Sequence, residues 1–590
     1  MSGSRNPGGR LRLGLVLLTG FGLLCGFSTA LAQSPSDART TLETEGSLGS
    51  GTLYADAPPE PIAPDVIMRD AEGRATVRAV RLNEPLRIDG ALDEALYRDV
   101  PSMSEFIQVE PQAGQGATER TETWVSFDDD YVYVSFRAWD SQMDSLIATE
   151  MRRDSPNNWQ GNDIVAFIFD TFYDRRNSFT FTMNPLGGRS DGTMVNDRQY
   201  SGDWNPVWET KAGRFDGGWT AEAAVPFKSL RYRPGTTQVW GFNAMRVKRS
   251  KNEISTLTRV PPARGQSGFQ QAQFAASLVG IQVPGGGRTL DLKPYAISNI
   301  TTNRTGTPRV SNDLGAEAGF DMKYAVTQGL VAELTVNTDF AQVEADEQQV
   351  NLTRFSLFFP EKRDFFLENQ GTFSFGGIPV TSGGAGNFNS GFFGSGNSYA
   401  PIMFYSRRIG LNDGREVPLL VGGRLTGRAG RYSLGMLNIQ TGEEEQTGAQ
   451  STNFGVVRLK RDVLRRSSVG LLLTNRSVEM SGTGANRSYG IDGTFAFFEN
   501  LEINTYWAKT DTDGLDTGVN TSYRAQLDYP GDRYAVQLER LRIGNSFNPE
   551  IGFLRRDDMA RDYARFRFSP RPRGRSAIRK YVYEGWVDYI

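Results

Sequence analysis

Within NNWQGNDIVAFIFDT (157–171) a flat indole, Trp159, stands in a polar, Gly-broken stretch just before a run of apolar and β-branched residues. The run Ile164–Phe169 reads as a buried strand, which puts Trp159 on a loop at the strand's mouth. There an indole can serve as a stacking platform for the CH-rich face of a sugar ring, or as a lid on a core. Trp204 and Trp208, four apart around Pro206 in GDWNPVWET, pose the same choice between a sugar shelf and core or loop anchors. Other chemistries are narrowed by what is missing. The chain has no His and one Cys, Cys25, which falls in a leader, so the exported chain lacks imidazole bases, thiolate nucleophiles and Cys/His zinc sites. Carboxylate pairs and oxygen-ligated calcium remain open, and the acidic run Asp128–Asp130 reads either as a solvated hairpin turn or as a calcium loop.

The elements that position these residues are strands. Glycine reaches 65 of 590 residues and aromatics 11%, a mix suited to short strands and tight turns. A mean hydropathy of -0.43 excludes a helical membrane protein. The net charge of -3 argues against nucleic acid as a partner. Residues 1–32 read as a signal peptide: Arg5, Arg10 and Arg12, then LGLVLLTGFGLLCGF, then an A-x-A site at Ala30 and Ala32. Leu24, just before Cys25, is too large for a lipoprotein signal. Residues 33–75, with APPEPIAPD, read as a Pro-rich linker.

From 76 to 283, strands and turns alternate. RLNEPLRIDGALDEALYRDV holds a turn at Asp89-Gly90 and a short amphipathic helix around Leu92–Tyr97. TETWVSFDDDYVYVSFRAWD is a hairpin whose turn is the acidic run, with Trp124 and Trp139 as core residues. This span predicts an antiparallel β-sandwich.

From 284 to 590 the period changes. Leu314, Ala316, Ala318, Phe320, Met322 and Tyr324 alternate with Gly315, Glu317, Gly319, Asp321 and Lys323; Tyr489, Ile491, Phe495 and Phe497 face away from Asp492 and Thr494; Tyr523, Ala525, Leu527 and Tyr529 oppose Arg524, Gln526 and Asp528. Segments of roughly nine to eleven residues with one apolar face are long enough to cross a bilayer as tilted strands. Aromatics at their ends (Tyr489, Phe497, Trp507, Tyr529, Tyr534) fit interfacial girdles. The expectation is an all-β chain, an antiparallel β-sandwich followed by a transmembrane antiparallel β-barrel in the outer membrane. About a dozen barrel strands can be counted with no clear closure before VYEGWVDYI, so further C-terminal strands or a different pairing is expected. FFPEKRDFFLENQGTFSFGG (358–377) and GGAGNFNSGFFGSGNSYAP (383–401) do not read as strands; each is a lumen or rim segment or a solvated loop.

RLNEPLRIDGALDEALY, DDDYVYVSFRA, WQGNDIVAFIFDT, GGWTAEAAVPFKSLRY and VWGFNAMRVKR, in this order, resemble carbohydrate-binding module family 9. With RNSFTFTMNPLGGRSDG, FFPEKRDFFLENQG and FYSRRIGL, the whole chain resembles a larger family of exported proteins, domain-of-unknown-function family 5916, in which such a module precedes an outer-membrane barrel. The resemblance implies a calcium-stabilised sandwich that grips the end of a poly- or oligosaccharide between two aromatic rings. Trp159 matches the first ring, followed by Asp163 at the strand start. Ala166 stands where sugar-binding members carry an acid, and Thr180 where they carry an arginine. Within STLTRVPPARGQSGFQQAQF only Phe269 can substitute for the second ring. The candidate ligand contacts are therefore Trp159, Asp163, Trp204, Trp208 and Phe269. No catalytic residue is assigned, and no cofactor beyond calcium. Three functions follow: glycan binding for polysaccharide capture by an outer-membrane protein, with the module periplasmic or surface-exposed; a channel or transporter whose sandwich is a structural or docking element; and a glycoside hydrolase-associated protein, which would need a carboxylate pair about 5–10 Å apart.

Overall fold

The computed structural model describes residues 58–590, apart from 285–289, 304–309, 338–357, 379–398, 573–577 and some single positions and shorter stretches. The leader, the linker up to residue 57 and most of the 383–401 loop lie outside the described residues. Residues 1–53 separate from the remainder, and everything below concerns the unit from Tyr54 onward.

Chain segments up to Gln282 form two sheets. The larger one runs, in spatial order, through Ile67–Arg69, Ala75–Arg78, Ala276–Gln282, Thr237–Lys248, Ile164–Asp170, Ser178–Met183, Arg189–Val195 and Gln199–Ser201. The smaller one has five strands, centred on Gly218–Pro226, Tyr131–Trp139 and Thr121–Phe127. Pairing is antiparallel except at two short edges, where Ala276–Gln282 meets Ala75–Arg78 and Thr121–Phe127 meets Val80–Arg81. Val134, Phe136, Phe167, Phe169, Phe181, Trp219, Trp240 and Phe242 are buried together between the sheets. This is the sandwich read from the sequence, with one correction. The strand Ile67–Arg69 falls inside the stretch assigned to the linker, because Val66 and Ala75 are apolar enough to join the core.

The second sheet buries one acid at its centre. Glu222 is fully buried, accepting from the backbone N–H of Gly90 at 2.8 Å and from the Tyr97 hydroxyl at 2.9 Å. Burial raises its pKa to about 7; the two hydrogen bonds oppose the shift, and the Glu94 and Asp89 charges add to it. The folded state thus holds a proton that the unfolded chain releases near its ordinary value, so stability falls as pH rises from about 4.5 to about 7. Glu222→Gln is expected to melt at a higher temperature than wild type at pH 8, by a difference on the order of 1–3 kcal/mol, and to lose that advantage at pH 4. Equal differences at the two pH values would contradict this.

Leu290–Asn303 through Tyr583–Tyr589 form a single 13-stranded sheet in which each strand pairs antiparallel with the next in sequence order. Among the described residues its first and last strands are not paired with each other. Its two faces differ sharply. One face exposes Leu459, Leu471, Ile491, Trp507 and Tyr523, neighbours in register across five consecutive strands. Phe497, Tyr529, Tyr534, Leu538 and Phe566 are exposed as well. The opposite face is charged: Arg424 pairs with Glu333, Arg458 with Asp492 at 2.7 Å, and Arg524, Glu539, Arg561 and Asp588 form a ladder. The alternation read from the sequence is realised strand by strand.

The 358–377 segment lies against this polar face. Phe365, Phe366, Phe373 and Phe375 bury themselves with Leu437, Ile439, Phe454, Val456 and Leu472 of the sheet. The charges around them hold the segment in place: Arg458 donates to the Ser374 carbonyl at 3.1 Å, Arg424 to the Glu368 carbonyl at 2.7 Å, and Asp492 accepts from Gly376 N–H at 3.0 Å. Aromatic pairs and charges occur together because the sheet face they cover is itself mixed.

Candidate functional site

Trp159 sits on a short helix, Pro156–Gly161, and not on the loop expected from the sequence. Pro156 occupies the first turn, where its missing N–H costs nothing. Asn158, fully buried, donates to Ser190 Oγ at 3.0 Å and accepts from Asn184 at 2.9 Å, which pins the turn to the strand Arg189–Val195. The Trp159 carbonyl accepts from Arg249 and, at 3.3 Å, from Gln266.

The second ring is present but does not form a clamp. Phe269 lies 6.4 Å from Trp159, centroid to centroid, with the planes 32° apart. That is the spacing of two rings in direct contact, with no room for a sugar between them. Phe269 is only 1% exposed and belongs to an apolar cluster with Ile164, Ala166, Ile168, Met245 and Val247; Trp159 is its half-buried cover. Phe269, the expected substitute for the second ring, here packs directly against Trp159. With Ala166 in place of an acid, this face of the strand is apolar and closes by packing.

Asp163 is likewise committed to structure. It is buried, accepts from the Arg249 N–H at 2.5 Å and the Ile147 N–H at 3.2 Å, and lies 3.3 Å from Lys248 Nζ. Lys248 bridges on to Asp140 at 2.6 Å. Thr180 is buried at 1% exposure within the strand Ser178–Met183. Trp208 is 2% exposed, with its indole N–H donating to Asp191 at 2.9 Å and its ring edge-on to Phe181. It is a core anchor and not a sugar shelf. Trp204 is half-buried, 4.5 Å from Phe179. The structure brings Trp159, Asp163 and Phe269 to one end of the strand Ile164–Asp170, as packing and hydrogen-bonded support; Trp204 and Trp208 pack elsewhere, against Phe179 and Phe181.

The fit of calcium can be tested on the donors. Both oxygens of Asp128 are used by its own hairpin, accepting from Asp130 N–H, Tyr131 N–H and the Tyr133 hydroxyl. Among the described residues no three acidic side chains converge as a metal site would require.

Sequence reasoning missed the place where the sandwich meets the 13-stranded sheet. Arg176 of the sandwich pairs with Asp462 of the sheet, and Arg428 of the sheet with both Asp174 and Asp462. Arg198 reaches Glu502 at 2.9 Å and Asp528 at 2.7 Å, and Arg231 reaches Glu368 at 2.7 Å. Beside these pairs lies a cavity of about 180 Å³, walled by Phe172, Phe179 and Trp204 on the sandwich side and by Arg428 and Lys460 on the sheet. The available signal was the spacing Arg458, Lys460, Asp462, three charges on one face of a strand.

Several known proteins are similar to parts of the chain. A carbohydrate binding module family 9 from Caldicellulosiruptor kristjanssonii in complex with cellotriose matches 36% of this chain and 95% of its own, at 15% identity and a TM-score of 0.26. A putative carbohydrate-binding protein from Bacteroides uniformis matches 35% and 98%, at 10% identity and a TM-score of 0.28. OpdQ of Pseudomonas aeruginosa matches 72% and 92%, at 8% identity and a TM-score of 0.24. No curated protein matches the chain. Over residues 288–381, from the start of the 13-stranded sheet, the chain matches the family model described as Domain of unknown function (DUF5916), the larger family its motifs resemble.

Proposed function

We propose that the chain is an outer-membrane protein whose 13-stranded sheet stands in lipid, whose sandwich caps the periplasmic end, and which handles a saccharide-class solute at that end. The observation that carries this is the inverted polarity of the sheet. A water-soluble sheet buries its apolar face; this one exposes Leu471, Ile491 and Trp507 and covers its charged face with the 358–377 segment. Polar inside and apolar outside is the arrangement a hydrocarbon solvent selects.

The lengths of the turns support a periplasmic sandwich. Thr327 to Leu330, Ala429 to Tyr432, Val463 to Ser467, Phe497 to Leu501 and Pro530 to Tyr534 are joined by two or three residues. At the opposite end the connections are longer, as between Thr441 and Asn453 or Ile543 and Met559; only the last connection, from Phe568 to Tyr583, is long at the short-turn end. Outer-membrane barrels keep their short turns in the periplasm. Arg428, Asp462, Glu502 and Asp528, which hold the sandwich, all lie near the short turns. The saccharide part rests on the family 9 resemblance. Because Trp159 is closed over Phe269, the sandwich's main work in this reading is docking.

Single cysteines test the arrangement in a Cys25→Ser background. A membrane-impermeant maleimide on intact cells is expected to label Gln450→Cys, in a long loop, and to reach Lys228→Cys, on the sandwich surface, only after the outer membrane is opened. The reverse pattern would overturn the orientation, and recovery of the chain in the soluble fraction would overturn the membrane reading.

A further inference from the structure

The cavity where the sandwich meets the sheet has the composition of a site for a small sugar acid. Its volume, about 180 Å³, is roughly a dozen times what one water needs, room for a solute of about thirteen non-hydrogen atoms. Four cations line it, Arg176, Arg231, Arg428 and Lys460, against one lining carboxylate, Asp462. Asp174 and Glu368 pair with Arg428 and Arg231 from outside the lining.

The donors are not all used. Among the described residues, Arg176 Nε, Arg231 Nη1 and Arg428 Nε are buried with no hydrogen-bond acceptor, and the side-chain oxygen Oε1 of Gln370, a residue only 3% exposed, is buried with no donor. Arg176 itself is 7% exposed. Lys460 Nζ donates to Ser374 Oγ at 2.9 Å and has three N–H bonds to give. What a carboxylate in the cavity would meet is the positive charge of the lining Arg groups and the N–H bonds of Lys460. The remaining wall is apolar and aromatic, with Phe172, Phe179 and Trp204 among its residues, against which the CH-rich side of a pyranose can pack.

We propose that this cavity binds a carboxylate-bearing monosaccharide, its carboxylate toward the Arg and Lys groups and its ring against the aromatic wall. The proposal deepens the saccharide reading above and rests on it. Lys460, on the sheet, and Trp204, on the sandwich, both line the site, so a bound solute bridges the domains at the periplasmic mouth.

The test uses the full chain purified in detergent, titrated calorimetrically with D-glucuronate, D-glucose and inorganic phosphate. Glucuronate is expected to bind at least tenfold more tightly than either, because glucose lacks the charge and phosphate lacks the ring. Lys460→Gln should weaken glucuronate at least tenfold, and Thr193→Trp, which fills the cavity from the strand Arg189–Val195, should abolish it. Equal affinity for glucuronate and glucose, equal affinity for phosphate, or binding untouched by either variant would overturn the proposal. So would no binding at all by a chain that passes the cysteine-labelling test, which would leave the membrane reading standing.

Discussion

Leu471→Arg is expected to destabilise the sheet by about 2–4 kcal/mol when the chain is folded into lipid vesicles and unfolded with denaturant. Leu471 is 38% exposed and lies between Leu459 and Ile491 on the outward face. In water, a partly exposed leucine on a sheet surface exchanges for arginine within about 0.5 kcal/mol, because the guanidinium stays hydrated. In hydrocarbon the same head must be dragged from water or must thin the bilayer to reach it. The two solvents thus predict effects several-fold apart at one position. Within the lipid reading, depth grades the effect: an arginine at Tyr534, beside a short turn, should cost only about 0–1 kcal/mol. A small, depth-independent cost at both sites would mean that the outward face sees water.

The sequence carries the sheet because strand periodicity is local. Ile491, Trp507 and Tyr523 each declare their face through neighbours two residues away, and register then lines them up across strands. The hairpin around Asp128–Asp130 is local in the same way. The sugar clamp was not legible, since a ring's availability depends on what packs behind it. Trp159 has the residue type and position of a stacking platform, but Phe269, more than a hundred residues later, fills the space behind it, and Ala166 supplies the apolar floor. The junction was hidden for a related reason. Arg198, Glu502 and Asp528 are unremarkable charges in sequence, and only the docking of one domain on the other makes them a cluster. The 358–377 segment falls in between: its mixed composition signalled a lumen or rim segment, and its partners are spread over consecutive strands from Leu419–Ala429 to Asn486–Phe497.

Arg198→Ala is expected to cost about 3 kcal/mol and to loosen the sandwich from the sheet. Arg198 is the centre of the junction, holding Glu502 at 2.9 Å and Asp528 at 2.7 Å, and the Asp528 carboxylate is fully buried. Removing the arginine leaves two acids facing each other in a poorly solvated place, which is why breaking such a pair costs more than forming it gains. The partial exposure of the Arg198 side chain, 19%, puts the effect at the lower end of the range for buried pairs. Arg264, 3.9 Å from Glu502, compensates only one of the two acids. Calorimetry in detergent should show the sandwich transition falling by roughly 6–12 °C, given a domain of this size. Adding Glu502→Gln and Asp528→Asn should recover most of the loss, because the unpaired charges are the cause and the missing contact is the smaller part. If Arg198→Ala melts like wild type, or the neutralising pair restores nothing, the sandwich is held on the sheet by packing and not by this ion cluster.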